Sequence, residues 1–224
     1  IYSQIELRIL AHCSEDDTLL GAFREGEDIH TRTACEVFGV APAEVTPELR
    51  RQAKAINFGI LYGMSPFGLA RQLEISQKTA KTYIEHYFAR YPGVRRFIDR
   101  TVEEARQKRR TSTLLGRIRR LPDIASSNPV VRQAAERMAI NTPIQGSAAD
   151  LIKLAMIRVD AELAASGMEA AMLLTVHDEL VFEAPPGEIE ELARRVRAVM
   201  EGIWELRVPL VVHTAVGETW ADVQ

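Results

Sequence analysis

With 224 residues, 46% of them apolar, the chain can bury a substantial core as one large domain or two small ones. A formal charge of −3 excludes a protein that holds nucleic acid by bulk charge, so any polyanion site must be local. Apolar runs are too short to span a bilayer, and Cys13 and Cys35 form no Cys-x-x-Cys unit, which suggests reduced thiols in the cytoplasm.

Residues 2 to 11 alternate as a strand should, with Tyr2, Ile5, Leu7 and Ile9 among polar neighbours. A chain that opens on such a segment without an initiating Met is expected to be part of a longer protein. Helices then dominate to about residue 165. Pro47 opens one that runs through Leu61, and on it Arg50, Lys54, Phe58 and Tyr62 recur at every fourth position, one slowly turning stripe. Cations occupy its first half, where backbone N–H groups and the helix dipole favour anions, and rings occupy its second half. A nucleotide, with phosphates at one end and a flat ring at the other, matches that order. An amphipathic helix with solvated cations and core-packed rings matches it too. Gly59 inside this helix costs roughly 1 kcal/mol relative to Ala and calls for close approach or bending there.

Further on, Ser76 can cap a helix and Pro92 suits the first turn of another. Arg106, Lys108, Arg109, Arg110, Arg117, Arg119 and Arg120 crowd one stretch, either as phosphate contacts or as a solvated face balanced by Glu103 and Glu104. Gly116 and Pro122 bracket a loop, and Asn128-Pro129 introduces a helical stretch that ends near Gly167. On it Arg137, Asn141 and Gln145 stand four apart. Amide side chains both donate and accept, which suits the minor groove, where every correct pair offers acceptors at similar places; a merely polar helix surface reads equally well.

A hairpin is expected at about 170 to 184, then a Pro-Pro-Gly turn, a helix from Glu188 to Ile203 and a last strand near Val208 to Val216. At the hairpin tip Asp178 and Glu179 stand between apolar runs read as buried arms. Adjacent side chains on extended chain face opposite ways, which favours Asp178 as a metal ligand with Glu179 as its neighbour; an acidic tip that keeps a turn soluble is the alternative. No zinc site is visible among the five histidines. Strands at the two ends and helices between them give an α+β, mostly helical fold, a sheet domain with a helical insertion.

These segments together resemble the bacterial DNA polymerase I family, the family A DNA polymerases. Tyr2 to Arg8 resembles motif A, Arg50 to Gly63 motif B and Val176 to Glu179 motif C, with Thr142-Pro143-Ile144-Gln145-Gly146 between. The resemblance implies a palm antiparallel sheet from residues 1–13, with the motif A strand, and 141–224, with the motif C hairpin and C-terminal strand. Residues 14–140 would be the helical fingers, and thumb and exonuclease regions would lie upstream.

It implies a template-directed DNA polymerase of replication and repair. Such an enzyme joins a primer 3′-hydroxyl to a deoxynucleoside triphosphate on primer-template DNA, with two Mg2+ ions. Asp178 and the Tyr2 carbonyl would hold metal, with Glu179 in support and Lys54 acting on the leaving pyrophosphate. Arg50, Lys54, His30, Phe58, Tyr62, Glu6 and Gln4 would bind the nucleotide, Glu6 as the gate against a ribose 2′-hydroxyl. Arg137, Asn141, Gln145, His177 and Arg120 would bind DNA. One departure is expected to cripple the metal pair: Ile1 stands where the family has its other bridging aspartate. A non-catalytic nucleotide- or DNA-binding module is the alternative for the chain as written.

Overall fold

The computed structural model describes residues 1–223. The chain divides into two compact units. One is contiguous, Glu6–Ser147; the other is split, joining Ile1–Ile5 to the chain from Ala148 onward. The class is α+β and mostly helical, with two small antiparallel hairpins.

The contiguous unit begins within α1 (Ile5–Ser14), followed by α2 (Asp17–Arg24), α3 (Ile29–Phe38), α4 (Pro47–Leu61), α5 (Pro66–Leu73), α6 (Gln77–Arg90) and α7 (Pro92–Lys108). The start of the chain corrects one expectation, since residues 5 to 14 are helical where a motif A strand is read from the sequence. Ile5, Leu7, Ile9, Leu10 and Ala11 are all buried, so a period of two and a period of 3.6 fit the segment equally, and burial on every side hides the difference. Gln4 at φ 55° turns the extended first residues into the helix.

The helix starts follow from local chemistry. Asp16, Asp28, Thr46, Ser65 and Ser76 each accept a backbone N–H of the first turn, and Pro47, Pro66 and Pro92 occupy positions whose N–H has no intrahelical partner. Asp16 does more, because its second oxygen accepts the Gly93 N–H at 2.7 Å and so ties the start of α7 to the cap of α2. A Cβ on Gly93 would stand 2.8 Å from the Asp16 Cα, so only glycine lets the two segments approach. A Cβ on Gly59, by contrast, would meet Met64 Sδ and Leu69 at ordinary contact distance.

Beyond α7 the strands β1 (Arg110–Ser112) and β2 (Ile118–Arg120) pair antiparallel around Gly116, a hairpin where the sequence suggests only a loop between Gly116 and Pro122. Ala105, Leu121, Ile124, Ala135 and Ala139 form one buried cluster beneath it. Then α8 (Pro129–Asn141) opens into a π turn over Thr142–Gly146, before α9 (Ser147–Ser166).

In the split unit α9 is followed by β3 (Ala171–Val176), β4 (Glu179–Glu183) and α10 (Ile189–Glu201). Leu151, Ala155, Val159, Leu192, Val196 and Met200 supply its buried face. The hairpin arms are half-buried or exposed, with Leu173 and Leu174 open to solvent, so their apolar character does not reflect burial. The C-terminal strand is a second correction. Among the described residues the segment keeps one isolated bridge, Val212 to Tyr2, flanked by backbone bonds of Val211 to Ser3 and His213 to Ile1, and irregular chain around it takes the place of a ladder. No helix among the described residues is long and apolar enough to cross a membrane.

Candidate active site

In the split unit the first residues lie against the hairpin tip. The Tyr2 N–H donates to the Asp178 carbonyl at 3.1 Å, and Ile1 and His213 exchange backbone hydrogen bonds, both at 3.0 Å. The Tyr2 hydroxyl, buried among apolar groups, donates to the Met200 carbonyl at 2.9 Å. Residues 211 to 213 and the hairpin turn therefore hold Tyr2 from two sides.

The turn consists of His177 and Asp178, with Val176 opposite Glu179. His177 adopts the left-handed region at φ 53°, so Asp178 is a turn residue and the opposite-face argument for extended chain does not apply to it. The Tyr2 bond to the Asp178 carbonyl sets the acidic turn beside the first residues, with Glu179 next in the chain. The two acids thus share one neighbourhood. Their donor set is hard oxygen, as a divalent cation of the magnesium type requires. Position 1 carries a hydrocarbon side chain, however, and no group of three His, Cys, Asp or Glu side chains is placed to hold an ion among the described residues.

In the contiguous unit the α4 stripe is where the spacing puts it. Arg50 and Lys54 are exposed, and Phe58 and Tyr62 half-buried. His30, Phe58 and Tyr62 form a row of rings, with centroids 6.1 and 5.9 Å apart. Lys54 makes no ion pair among the described residues, whereas Arg50 Nε contacts the Asp28 carboxylate at 2.5 Å. Burial raises the Asp28 pKa, but the Arg50 guanidinium and the N–H groups at the start of α3 outweigh it and hold the carboxyl below its ordinary range.

His30 is buried, and its Nδ1 lies 3.1 Å from the Asn57 amide nitrogen, while the Asn57 oxygen accepts the Thr33 hydroxyl at 3.1 Å. Asn57 has only donors left for the ring, so Nδ1 is the acceptor and Nε2 carries the proton. Desolvation pushes the His30 pKa down to about 4; Asp28 opposes this and the Arg50 and Lys54 charges reinforce it. The ring is a neutral N–H donor at pH 7.

Three separated sequence segments meet at the end of α4. The Tyr62 hydroxyl donates to Glu6 at 2.9 Å and is in hydrogen-bonding reach of Gln145. Burial first, then the Glu6 carboxylate, raises the Tyr62 pKa to about 12, with Gln145 opposing. Gly63 follows at φ 65°, and a Cβ there would stand 3.2 Å from Arg137 Cγ, so Arg137 packs over the helix end. Asn141 lies one turn beyond, and its buried Oδ1 accepts from no donor among the described residues. On the hairpin, Arg110 and Arg120 are opposed in register and make no ion pair among the described residues, an arrangement that favours an added anion. The outer cations are balanced instead: Arg106 contacts Glu136 and Lys108 contacts Glu104, both at 2.7 Å.

Asp28 and Asn57 are functional partners that pattern reading misses. Asp28 stands two residues before His30 and carries a cap signal in the sequence. Asn57 has none, because a polar residue inside a helix does not announce whether it faces a neighbour or solvent.

The model for DNA polymerase family A matches residues 2–222. DNA polymerase I of Bacillus caldotenax is 58% identical over 221 residues, 99% of this chain and 25% of that protein. The thermostable DNA polymerase I of Thermus thermophilus is 53% identical over 219 residues, 98% of this chain and 26% of that protein. The POL domain of Pol1 from M. smegmatis, in complex with DNA primer-template and dNTP, superposes with a TM-score of 0.96 at 51% identity, covering 99% of this chain and 39% of that one. The chain spans about a quarter of the length of the curated relatives it matches. With a family model covering nearly every residue, the chain belongs to DNA polymerase family A.

Proposed function

We propose that this chain is the catalytic portion of a template-directed DNA polymerase of replication and repair in the cytoplasm, with residues 1–13 and 141–224 as palm and 14–140 as fingers. The observation that carries the reading is the order of groups on α4. From Arg50 to Tyr62 the helix rises by about 18 Å, cations first and rings last, enough to lie along a triphosphate, a sugar and a base.

Arg50, Lys54 and the N–H of neutral His30 would bind triphosphate oxygens, and Lys54, unpaired, could give a proton to the departing pyrophosphate. Phe58 offers a half-exposed face for stacking. Glu6, fixed by the Tyr62 hydroxyl, suits a gate at the sugar, and Gln4 stands beside it in sequence. Arg137, Asn141, Gln145 and His177 supply donors for minor-groove acceptors, and Arg120 charge for a phosphate. Asp178 and the Tyr2 carbonyl suit Mg2+, with Glu179 alongside. With Ile1 the set lacks the second bridging carboxylate, and catalysis by this chain is expected to be impaired. The same observation favours a second reading, a DNA- and nucleotide-binding module without turnover.

Primer extension in magnesium by the whole protein, its Ile1→Asp form and an Asp178→Ala form of the latter separates the two. The polymerase reading expects extension with aspartate at position 1 and its loss on removal of Asp178. Binding of primer-template without extension by Ile1→Asp supports the module instead, and extension that survives Asp178→Ala overturns the metal site.

A further inference from the structure

The π turn at Thr142–Gly146 has an identifiable cause and an identifiable clamp. Pro143 has no N–H, so the Ala139 carbonyl loses the donor that a continuous helix would give it. The Thr111 hydroxyl of β1 donates there instead, at 3.4 Å. Next, the Ser147 N–H turns to the Ile144 carbonyl rather than to Pro143. The Pro143 carbonyl is then satisfied by the Ser147 hydroxyl, in a short hydrogen bond. That hydroxyl accepts the Leu114 N–H at 2.8 Å, and Ser147 is fully buried. The third point is steric. A Cβ on Gly146 would stand 2.6 Å from the Thr113 methyl, so glycine lets the hairpin loop seat against the turn.

Two backbone groups orphaned by the break in the helix are thus satisfied by side chains, and the β1–β2 hairpin closes over both. A π turn of this kind widens the helix locally and re-aims the residues it carries, here Gln145, the residue before the clamped glycine. Gln145 lies near enough to Tyr62 to ease its titration, and the Tyr62 hydroxyl donates to Glu6.

We propose that Ser147 and Thr111 are positioning residues: together with the hairpin loop they fix the π turn so that the Gln145 amide is held at one place and presented to the primer-terminal base pair. The clamp stands on geometry alone, and its effect on the primer terminus rests on the polymerase reading given above. The small hairpin, which carries none of the motif residues beyond Arg120, thereby acquires a role in selecting paired ends.

The test uses the whole protein with Ser147→Ala, Thr111→Val, Thr111→Ser and Gln145→Ala. Hydrogen exchange of the backbone amides at residues 144 to 147 reads the clamp. Affinity for matched against mismatched primer termini, with the next deoxynucleotide present, reads its consequence. Ser147→Ala is expected to speed exchange by about fivefold, the net worth of one buried hydrogen bond, and Thr111→Val by less, with Thr111→Ser restoring it. The matched-to-mismatched ratio should fall in Ser147→Ala to the level of Gln145→Ala, and the double variant should fall no further. Unchanged exchange in both Ser147→Ala and Thr111→Val overturns the clamp. A ratio that Gln145→Ala lowers and Ser147→Ala leaves intact overturns the positioning role. A ratio untouched by Gln145→Ala counts instead against Gln145 as a minor-groove contact, while the exchange data still judge the clamp.

Discussion

A buried imidazole that stays neutral makes stability depend on pH in a definite direction. His30 has a pKa of about 4 in the folded chain against an ordinary 6.5. Between those values the unfolded chain binds a proton that the folded chain does not, so stability rises with pH across this window and is flat above it. Denaturant titrations from pH 4.5 to 7 should show a gain of roughly 1–3 kcal/mol attributable to His30, and a His30→Gln form should lose that part of the slope. Asp28 supplies a second prediction at this scale. It caps α3 and also engages Arg50, so under the proposed function a triphosphate would have to draw Arg50 away from it. Asparagine keeps the cap and removes the charge. Asp28→Asn should therefore bind deoxynucleoside triphosphate about two- to fivefold more tightly, the range of a half-exposed ion pair, as equilibrium binding would record.

At the scale of elements, the joint between α2 and α7 depends on a missing side chain. Gly93→Ala would push a methyl into the Asp16 backbone and disturb a carboxylate that accepts from both helices, at a cost of roughly 2–3 kcal/mol in equilibrium unfolding. Gly59→Ala, in open contact inside α4, should gain up to about 1 kcal/mol in the same measurement. This is also the scale at which the sequence is most and least readable. Starts marked by Pro47, Ser76 and Pro92 appear where read, because caps act within one turn of the residue that carries the signal. The α4 stripe appears for the same reason. The opening segment is unreadable as a helix because its apolar residues are buried at nearly every position, and the strand near Val208 reduces to one bridge because the extended residues it meets end at Gln4. The β1–β2 hairpin was hidden by its short exposed strands of arginine and polar residues, which carry no period. Among the candidate residues, spacing alone places the α4 stripe on one helix face, whereas the Glu6–Tyr62–Gln145 meeting joins positions far apart in sequence and leaves no mark in it.

At the scale of all 224 residues, a net charge of −3 means that, under the proposed function, DNA would have to be held by a few local cations against an unfavourable background. Affinity for primer-template should therefore fall steeply with salt, and Arg120→Ala should lessen the slope of log K against log salt by about 1, uniformly across sequences. An unchanged slope would remove the hairpin from the phosphate-contacting surface.

The anchoring of Tyr2 has a consequence for how the protein comes into being. Its hydroxyl bonds a carbonyl 198 residues away, and the Ile1 amine one 212 residues away. Those partners follow Tyr2 in the chain only after the whole of Glu6–Ser147 has been made, so that unit can fold before the tyrosine and the acidic turn find each other. A nascent chain stalled before residue 200 should hold a complete Glu6–Ser147 unit and a Tyr2 side chain still open to solvent.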